Sequence, residues 1–544
     1  MRHNNVVERA LVGTFSALML CACQLGEGNG ATMLPDPDAP FTLPPLQTTV
    51  EQYELVVPEQ TLKLFADDVD APEQPAVFVH DGKRHDILLR LRGNSSRYWP
   101  KRSWRVEFVD NKFEGRKKVN LISEWMDGTM MVEKLGFDLL AAMHAPSPVA
   151  KYVRLVINGH YEGVYLDAER VDKDFLDAHR FFDDDASIYR CGRKDCEMKP
   201  WRAAFQSNWQ KKTNEHEGRQ ELDTILERIT FTPEPDLASV LGQRIELELY
   251  LRTMVMDALI SNNTTEDSRS YFIHDRISGR WIYVPWDLNN SALRWTPGSN
   301  VGGRPRIDRP MFGFSVTDSW VQARYEERVI THPEIAWHPI SSNLNTRIAM
   351  NPELRARLVV LLERAQRELF QADVFGARVD AIHALLRPHM ADDPYMSIEK
   401  FDDAPRYLKD YNAARVEFIQ AELARLTAPP TLVISALDPH QQRVALKNLG
   451  ASPIELRNLV LVTNVRSTTF SPNLPARTLG PGESIDLEAK ALGLTFSSKG
   501  ELALFDPTRV TPLDVLFYGE IPSGTVYARG EADPLRWELA DQDD

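Results

Sequence analysis

Two segments of this chain carry residue types that handle phosphate. The first, LRLRGNSSRYWPKRSWRVEF at 89–108, holds Arg92, Asn94, Lys101, Arg102 and Arg105. The second, RSYFIHDRISGRWIYVPWDLNNS at 269–291, ends an apolar strand in Asp287 and Asn289. Cations that neutralise phosphates, paired with a carboxylate that can hold Mg²⁺, are the division of labour in sites that bind nucleotide phosphates. A polyphosphate site is the first expectation.

The surrounding pattern says which elements must position these groups. Residues 51–120 alternate apolar and polar in the runs LVV, LKLF, AVFVH, DILLRLRG, SWRVEF and KKVNLI, which reads as strands with turns at Asp81-Gly82 and Asp110-Asn111. A helix is expected at about 130–143, then the strands KYVRLVI and GVYLDAE around Asn158-Gly159. Helical periodicity covers 217–262, and the strands YFIHD and WIYVPWDL meet across Ser278-Gly279. Helices follow at 352–371, 373–386 and 407–426. After Pro429-Pro430 only short strands with Gly and Pro turns remain, the pattern of a small antiparallel sandwich.

The N-terminus reads as an export signal. Arg2 and Arg9 flank a short basic region, residues 10–20 are apolar but too few to span a bilayer, and Leu20-Cys21-Ala22-Cys23 follows. This resembles a bacterial lipobox, with cleavage before Cys23 and lipidation of its thiol; an ordinary secretory signal is the alternative. Residues 24–50, rich in Gly and Pro, read as a tether. Cys191 and Cys196 then remain, and in an oxidising compartment they are expected to pair with each other rather than hold zinc, because no second ligand pair lies nearby. The formal charge of −15 argues against a general nucleic-acid binder.

Five motifs in order, LRGNSSRYWPKRSWRVEF, NLISEWMDGTMMVEKLGFDL, NGHYEGVYLDAERVDKDFL, the strand pair ending VPWDLN, and a closing helix with Arg415, resemble the spore-coat protein H (CotH) kinase-like family over roughly residues 60–426. The resemblance implies an α+β fold, an atypical protein-kinase-like domain over 51–427, which transfers the γ-phosphate of ATP to Ser or Thr of a protein acceptor with Mg²⁺ or Mn²⁺. Residues 428–544 resemble a lamin-tail type of immunoglobulin-like sandwich. Residues 1–22 would be the lipoprotein signal peptide and 23–50 the lipidated Cys and its tether.

Carried over residue by residue, Lys101 matches the family's phosphate-contacting base and Asp287 its metal-binding acid. Glu169 stands where an acid could orient that lysine, Asn289 and Asn262 are further oxygen ligands, and Arg92, Asn94 and Arg105 add anion contacts. Asp267 and Glu266 are candidates for the base. Against these stand blander readings: Lys101 and Arg105 as solvated strand residues, and Glu169 as the partner of Arg170 or Lys173. Ser270 and Asn289 depart from the family pattern, which has Asn and an acid there. An exported protein also meets no maintained ATP pool, so a catalytically inactive surface-binding protein that keeps the fold is the alternative to an enzyme.

The lipobox implies a bacterial envelope protein held to the membrane, in the outer membrane or at the surface, by acyl chains on Cys23. Carbonate-washed membranes should retain the wild-type protein and lose Cys23→Ser; a Cys23→Ser protein that stays with the membrane contradicts the anchor.

Overall fold

The computed structural model describes residues 39–191, 198, 209–262, 269–291, 307, 311, 343–463, 471–507, 512–531 and 536–541. Cys23, Cys196, Glu266 and Asp267 therefore lie outside the described residues. The fold is α+β. A closed barrel comes first, built from β1 (Glu51–Val56), β2 (Gln74–His80), β3 (Lys83–Arg92), β4 (Ser103–Phe108), β5 (Lys118–Ile122), β6 (Ala150–Ile157) and β7 (His160–Ala168). Its strand order is β1-β2-β3-β4-β5-β7-β6, and β1 closes the barrel by pairing parallel with β6. Alternation explains the interior: Leu89, Leu91, Trp104, Val106, Val119 and Leu121 fill it together with Tyr53, Phe78 and Phe108. The intervening residues Arg90, Arg92 and Arg105 must then face outward.

The segment LKLF departs from the expected strand. It lies in α1 (Glu59–Asp67), where Pro58 stands just before the first turn and Phe65 is buried. Its apolar Leu62 and Phe65 are three residues apart, so one helix face reaches the barrel core. A four-residue run fits both periods, and the flanking Pro decides it.

Below the barrel, α2 (Val132–Ala142) and α3 (Lys173–Ala178) lead to a four-stranded sheet of β8 (Ser187–Cys191), β9 (Trp209–Lys211), β10 (Arg269–Asp275) and β11 (Arg280–Trp286), ordered β11-β10-β8-β9. Helices α4 (Gln220–Phe231), α5 (Leu237–Arg244) and α6 (Leu247–Ile260) pack with it, and nearly every residue of α6 is buried. The helices Asn343–Met350, Pro352–Leu369, Ala372–Met390 and Ile398–Thr427 complete this core. The last starts well before the periodicity suggests: Ser397 caps it by accepting from Lys400 N, and it runs through Pro405. Its Arg415 is wholly buried, donating to the carbonyl oxygens of Ala258 and Ile307 at 2.9 and 2.6 Å.

From Leu432 the chain is strands: β12 (Leu432–Asp438), β13 (Arg443–Asn448), β14 (Ile454–Glu455), β15 (Val460–Val462), β16 (Thr478–Leu479), β17 (Ser484–Glu488), β18 (Gly500–Phe505), β19 (Pro512–Tyr518), β20 (Thr525–Arg529) and β21 (Trp537–Asp541), arranged as a sheet ordered β17-β13-β12-β20-β21 and a second ordered β15-β18-β19, with a short β14-β16 pair. This unit does not hang free. The guanidinium of Arg347 donates to the carbonyls of Ile229, Thr230 and Thr232 and lies 4.7 Å from the Phe517 ring centre. Gly519 passes the Phe231 carbonyl so closely that a Cβ would meet its oxygen at 3.0 Å.

Candidate functional site

Lys101 is where sequence and structure part most clearly. Its side chain is fully buried, and Nζ donates to Asp393 Oδ2 and to the Val164 carbonyl, both at 2.7 Å. Burial pulls its pKa down, and the Asp393 carboxylate opposes that. Its ammonium thus meets a carboxylate and a carbonyl rather than solvent. Glu169 is not its orienting acid: Glu169 Oε2 accepts from Val149 N at 3.1 Å and faces His179 Nε2 at 2.9 Å. Lys101 therefore pairs with Asp393, an acid far along the sequence that no local pattern connects to it.

Asn262 is turned to another task. Its amide donates to Asp257 Oδ1 at 2.7 Å, and burial pushes the Asp257 carboxyl up to about 8, so it is held protonated. Arg105 is paired with Glu73. Asn94 is exposed in the turn after β3. The buried Cys191 ends β8.

Of the expected site residues, the structure brings together Arg92, Asp287 and Asn289, and it adds two that the sequence reading passed over, Glu124 and Glu133. Local structure explains the meeting. Asp127 caps the start of α2, its Oδ2 accepting from Met131 N and Val132 N at 3.0 and 2.9 Å, which sets Glu133 in the first helical turn, a favoured place for an acid. Gly136, one turn on, opens room for the turn that carries Asp287: a Cβ there would lie 2.6 Å from Leu288 Cδ1. Asp287 itself adopts the left-handed conformation, φ 62°, ψ 47°, which bends the chain sharply out of β11.

The electrostatics are unusual. Glu124 and Glu133 are buried, and neither Glu133 oxygen nor Glu124 Oε1 receives a hydrogen bond from a donor group among the described residues. Glu124 Oε2 accepts only weakly from Asn289 Nδ2, at 3.3 Å. Burial pushes Glu124 up to about 7. Glu133 is raised well above the usual carboxylate range by burial, then by the charges of Glu124 and Asp287. The charge of Glu124 thus favours the neutral form of Glu133, the behaviour of neighbouring carboxyls that resist ionising together. Arg92 is the facing cation: the charges of Glu133 and Asp287 act on it, and its guanidinium lies 5.6 Å from the Trp286 ring centre.

These are hard oxygen donors, fit for Mg²⁺ or Mn²⁺, and the undonated oxygens of Glu133 and Glu124 suit such a cation. Among the described residues no three His, Cys, Asp or Glu side chains close into a ready cage. A cation here would therefore keep several waters, as Mg²⁺ does.

A family profile described as CotH kinase protein matches residues 89–419. The chain belongs to that family. It is 25% identical over 393 residues to the inner spore coat protein H of Bacillus subtilis (strain 168), covering 70% of this chain and 99% of that protein. It is 22% identical over 353 residues to an inner spore coat protein H-like protein of the same organism, covering 64% of this chain and 93% of that one. The CotH match spans every member of the acidic cluster, from Arg92 on β3 to Asn289.

Sequence held a signal for the two missed acids. Both sit in NLISEWMDGTMMVEKLGFDL, on either side of a cap-forming Asp127, and an acid at a helix start that is otherwise apolar asks for a reason.

The pH dependence follows from the raised carboxyls. An acid with a raised folded pKa adds stability below its ordinary pKa and loses it as pH climbs through the folded value, here about 7 for Glu124. Without divalent cation, the melting temperature should fall between pH 5 and 8. Mn²⁺ affinity should rise over the same window by up to about tenfold per pH unit for each proton released. Glu133→Gln should flatten both. A wild-type Mn²⁺ affinity independent of pH contradicts the raised carboxyls.

Proposed function

We propose that this CotH protein transfers the γ-phosphate of ATP to Ser or Thr hydroxyls of a protein acceptor, using Mg²⁺ or Mn²⁺, on a kinase-like domain. One observation supports it above the rest: Asp287, Glu124, Glu133 and Asn289 converge opposite Arg92, and both Glu133 oxygens and Glu124 Oε1 are without a donor among the described residues. Asp287, Glu133 and Glu124 would hold the metal. Bound there, it would neutralise phosphate charge and orient the donor.

The chain's own residues supply the remainder. Arg92 binds phosphate oxygen and, stacked near Trp286, keeps its fork in place. The left-handed turn at Asp287 fixes that carboxylate relative to α2. A cation bound there would favour the ionised carboxyls, so its binding would release a proton from the Glu124 and Glu133 pair. The proton acceptor for the attacking hydroxyl is sought at Asp267 or Glu266, outside the described residues.

A second reading rests on Lys101. If the Lys101–Asp393 pair serves only to hold the barrel to the helical layer, the chain is a catalytically inactive protein that keeps the fold as a binding platform. In either reading we take the chain to be a bacterial envelope protein anchored through lipid on Cys23, with residues 428–544 a lamin-tail-like module that binds or spaces.

Two substitutions separate these roles. Asp287→Asn should abolish phosphoryl transfer and metal-dependent nucleotide binding, with the melting temperature nearly unchanged. Lys101→Met should behave as a stability mutant, costing about 3–5 kcal/mol because Asp393 is left buried and uncompensated. Transfer that survives Asp287→Asn at near-normal kcat contradicts the metal role. A wild type that neither binds nucleotide nor transfers phosphate, with any metal, favours the platform.

A further inference from the structure

A second cluster of cations lies beyond Arg92, and the acidic site does not use it. Arg90 and Arg105 are direct cross-strand partners on β3 and β4, facing outward from the barrel. Arg190 on β8 is in register with Tyr271 on β10, and its charge acts on Arg90, Arg92 and Lys212. Arg170, two residues past β7, acts on Arg90, Arg105 and Lys212. Four elements thus send cations to one place.

The acids there do not balance them. Glu73 alone serves both strand arginines, touching Arg105 and lying 3.6 Å from Arg90 Nε. Arg170 has Asp172 at 3.4 Å, and the nearby Glu107 is paired with Lys118 at 3.1 Å. The buried Nε atoms of Arg90, Arg105 and Arg190 have no hydrogen-bond partner among the described residues. Arg378, by comparison, has Asp138, and Arg347 has Glu234 and three carbonyls, although the Nε of Arg347 is also without a hydrogen-bond partner among the described residues. In a chain of net charge −15 such crowding of like charge is costly unless an anion joins it.

We propose that Arg90, Arg105, Arg170 and Arg190 form a second anion site that takes phosphate, presented as a phosphate chain or monoester, without metal. Guanidinium forks match phosphate oxygens two at a time, and the cross-strand Arg90–Arg105 pair, each with an Nε free of a hydrogen-bond partner among the described residues, would form the centre of the site. The site stands independently of the metal end. Its phosphate would come from the tail of a nucleotide that passes Arg92, or from a phosphorylated residue on the acceptor.

Inorganic tripolyphosphate, titrated into the full-length detergent-solubilised protein in EDTA, tests this by calorimetry and thermal shift. Wild type should bind it, and Arg105→Gln and Arg190→Gln should each weaken binding at least about tenfold, or about 1.4 kcal/mol. Glu73→Gln, which removes the competing carboxylate, should tighten it. Arg406→Gln, an exposed charge on the last long helix, should change nothing. Because EDTA removes the metal, binding here is independent of whether the Asp287 site works. Displacement of tripolyphosphate by ATP in EDTA identifies a donor tail; displacement by a phosphoserine peptide and not by ATP identifies the acceptor. No binding by wild type at millimolar probe overturns the proposal, as do Arg105→Gln and Arg190→Gln proteins that melt normally and bind like wild type.

Discussion

The arrangement depends on a buried ion pair between two distant stretches of chain. Lys101, in the turn before β4, reaches Asp393, just beyond the helix Ala372–Met390, and Asp393 also accepts from Val164 N on β7 at 3.1 Å. Gly163 is required beside it, with φ +98° and a hypothetical Cβ only 2.2 Å from the Asp393 carboxylate. A single clamp thereby fastens two parts of the barrel to the helical layer. Its partial charges have nowhere else to go, because each member is fully buried and removing one strands the other.

Around Arg92 the fold has an acidic end and a basic one, with Glu133 and Asp287 acting on it from one side and Arg190 adding like charge. At the acidic end, burial raises the carboxyls of Glu124 and Glu133, and Gly136 lets the Asp287 turn close on the same helix. At the basic end, arginines from both sheets repel one another, and burial with the charge of Arg170 pushes Arg105 down to about 10. Arg92 stands between the two.

Much of this was legible in the residues. Strand alternation gave most of the strands that form the barrel because their interior positions follow a strict period of two, but not its closure by the parallel pairing of β1 with β6, and the Asp287 turn was visible as an acid leaving an apolar strand. LKLF was too short for its period to decide between helix and strand. Lys101 was misread because family position says which residue is present, while burial and a partner 292 residues away decide what it does. Glu124 and Glu133 were missed for a related reason: an ordinary-looking acid becomes chemically significant only when tertiary packing removes its water and sets a second carboxyl beside it.

The central claim is that Asp287, Glu124 and Glu133 form one cation site facing Arg92. Manganese anomalous scattering from crystals grown with Mn²⁺ and a non-hydrolysable ATP analogue tests it most directly. The account predicts a manganese peak within about 2.0–2.4 Å of an Asp287 oxygen, with a Glu133 or Glu124 oxygen or its bridging water in the same shell and a phosphate at Arg92. A well-ordered nucleotide whose metal lies away from Asp287, or a phosphate held by Lys101 released from Asp393, would contradict it.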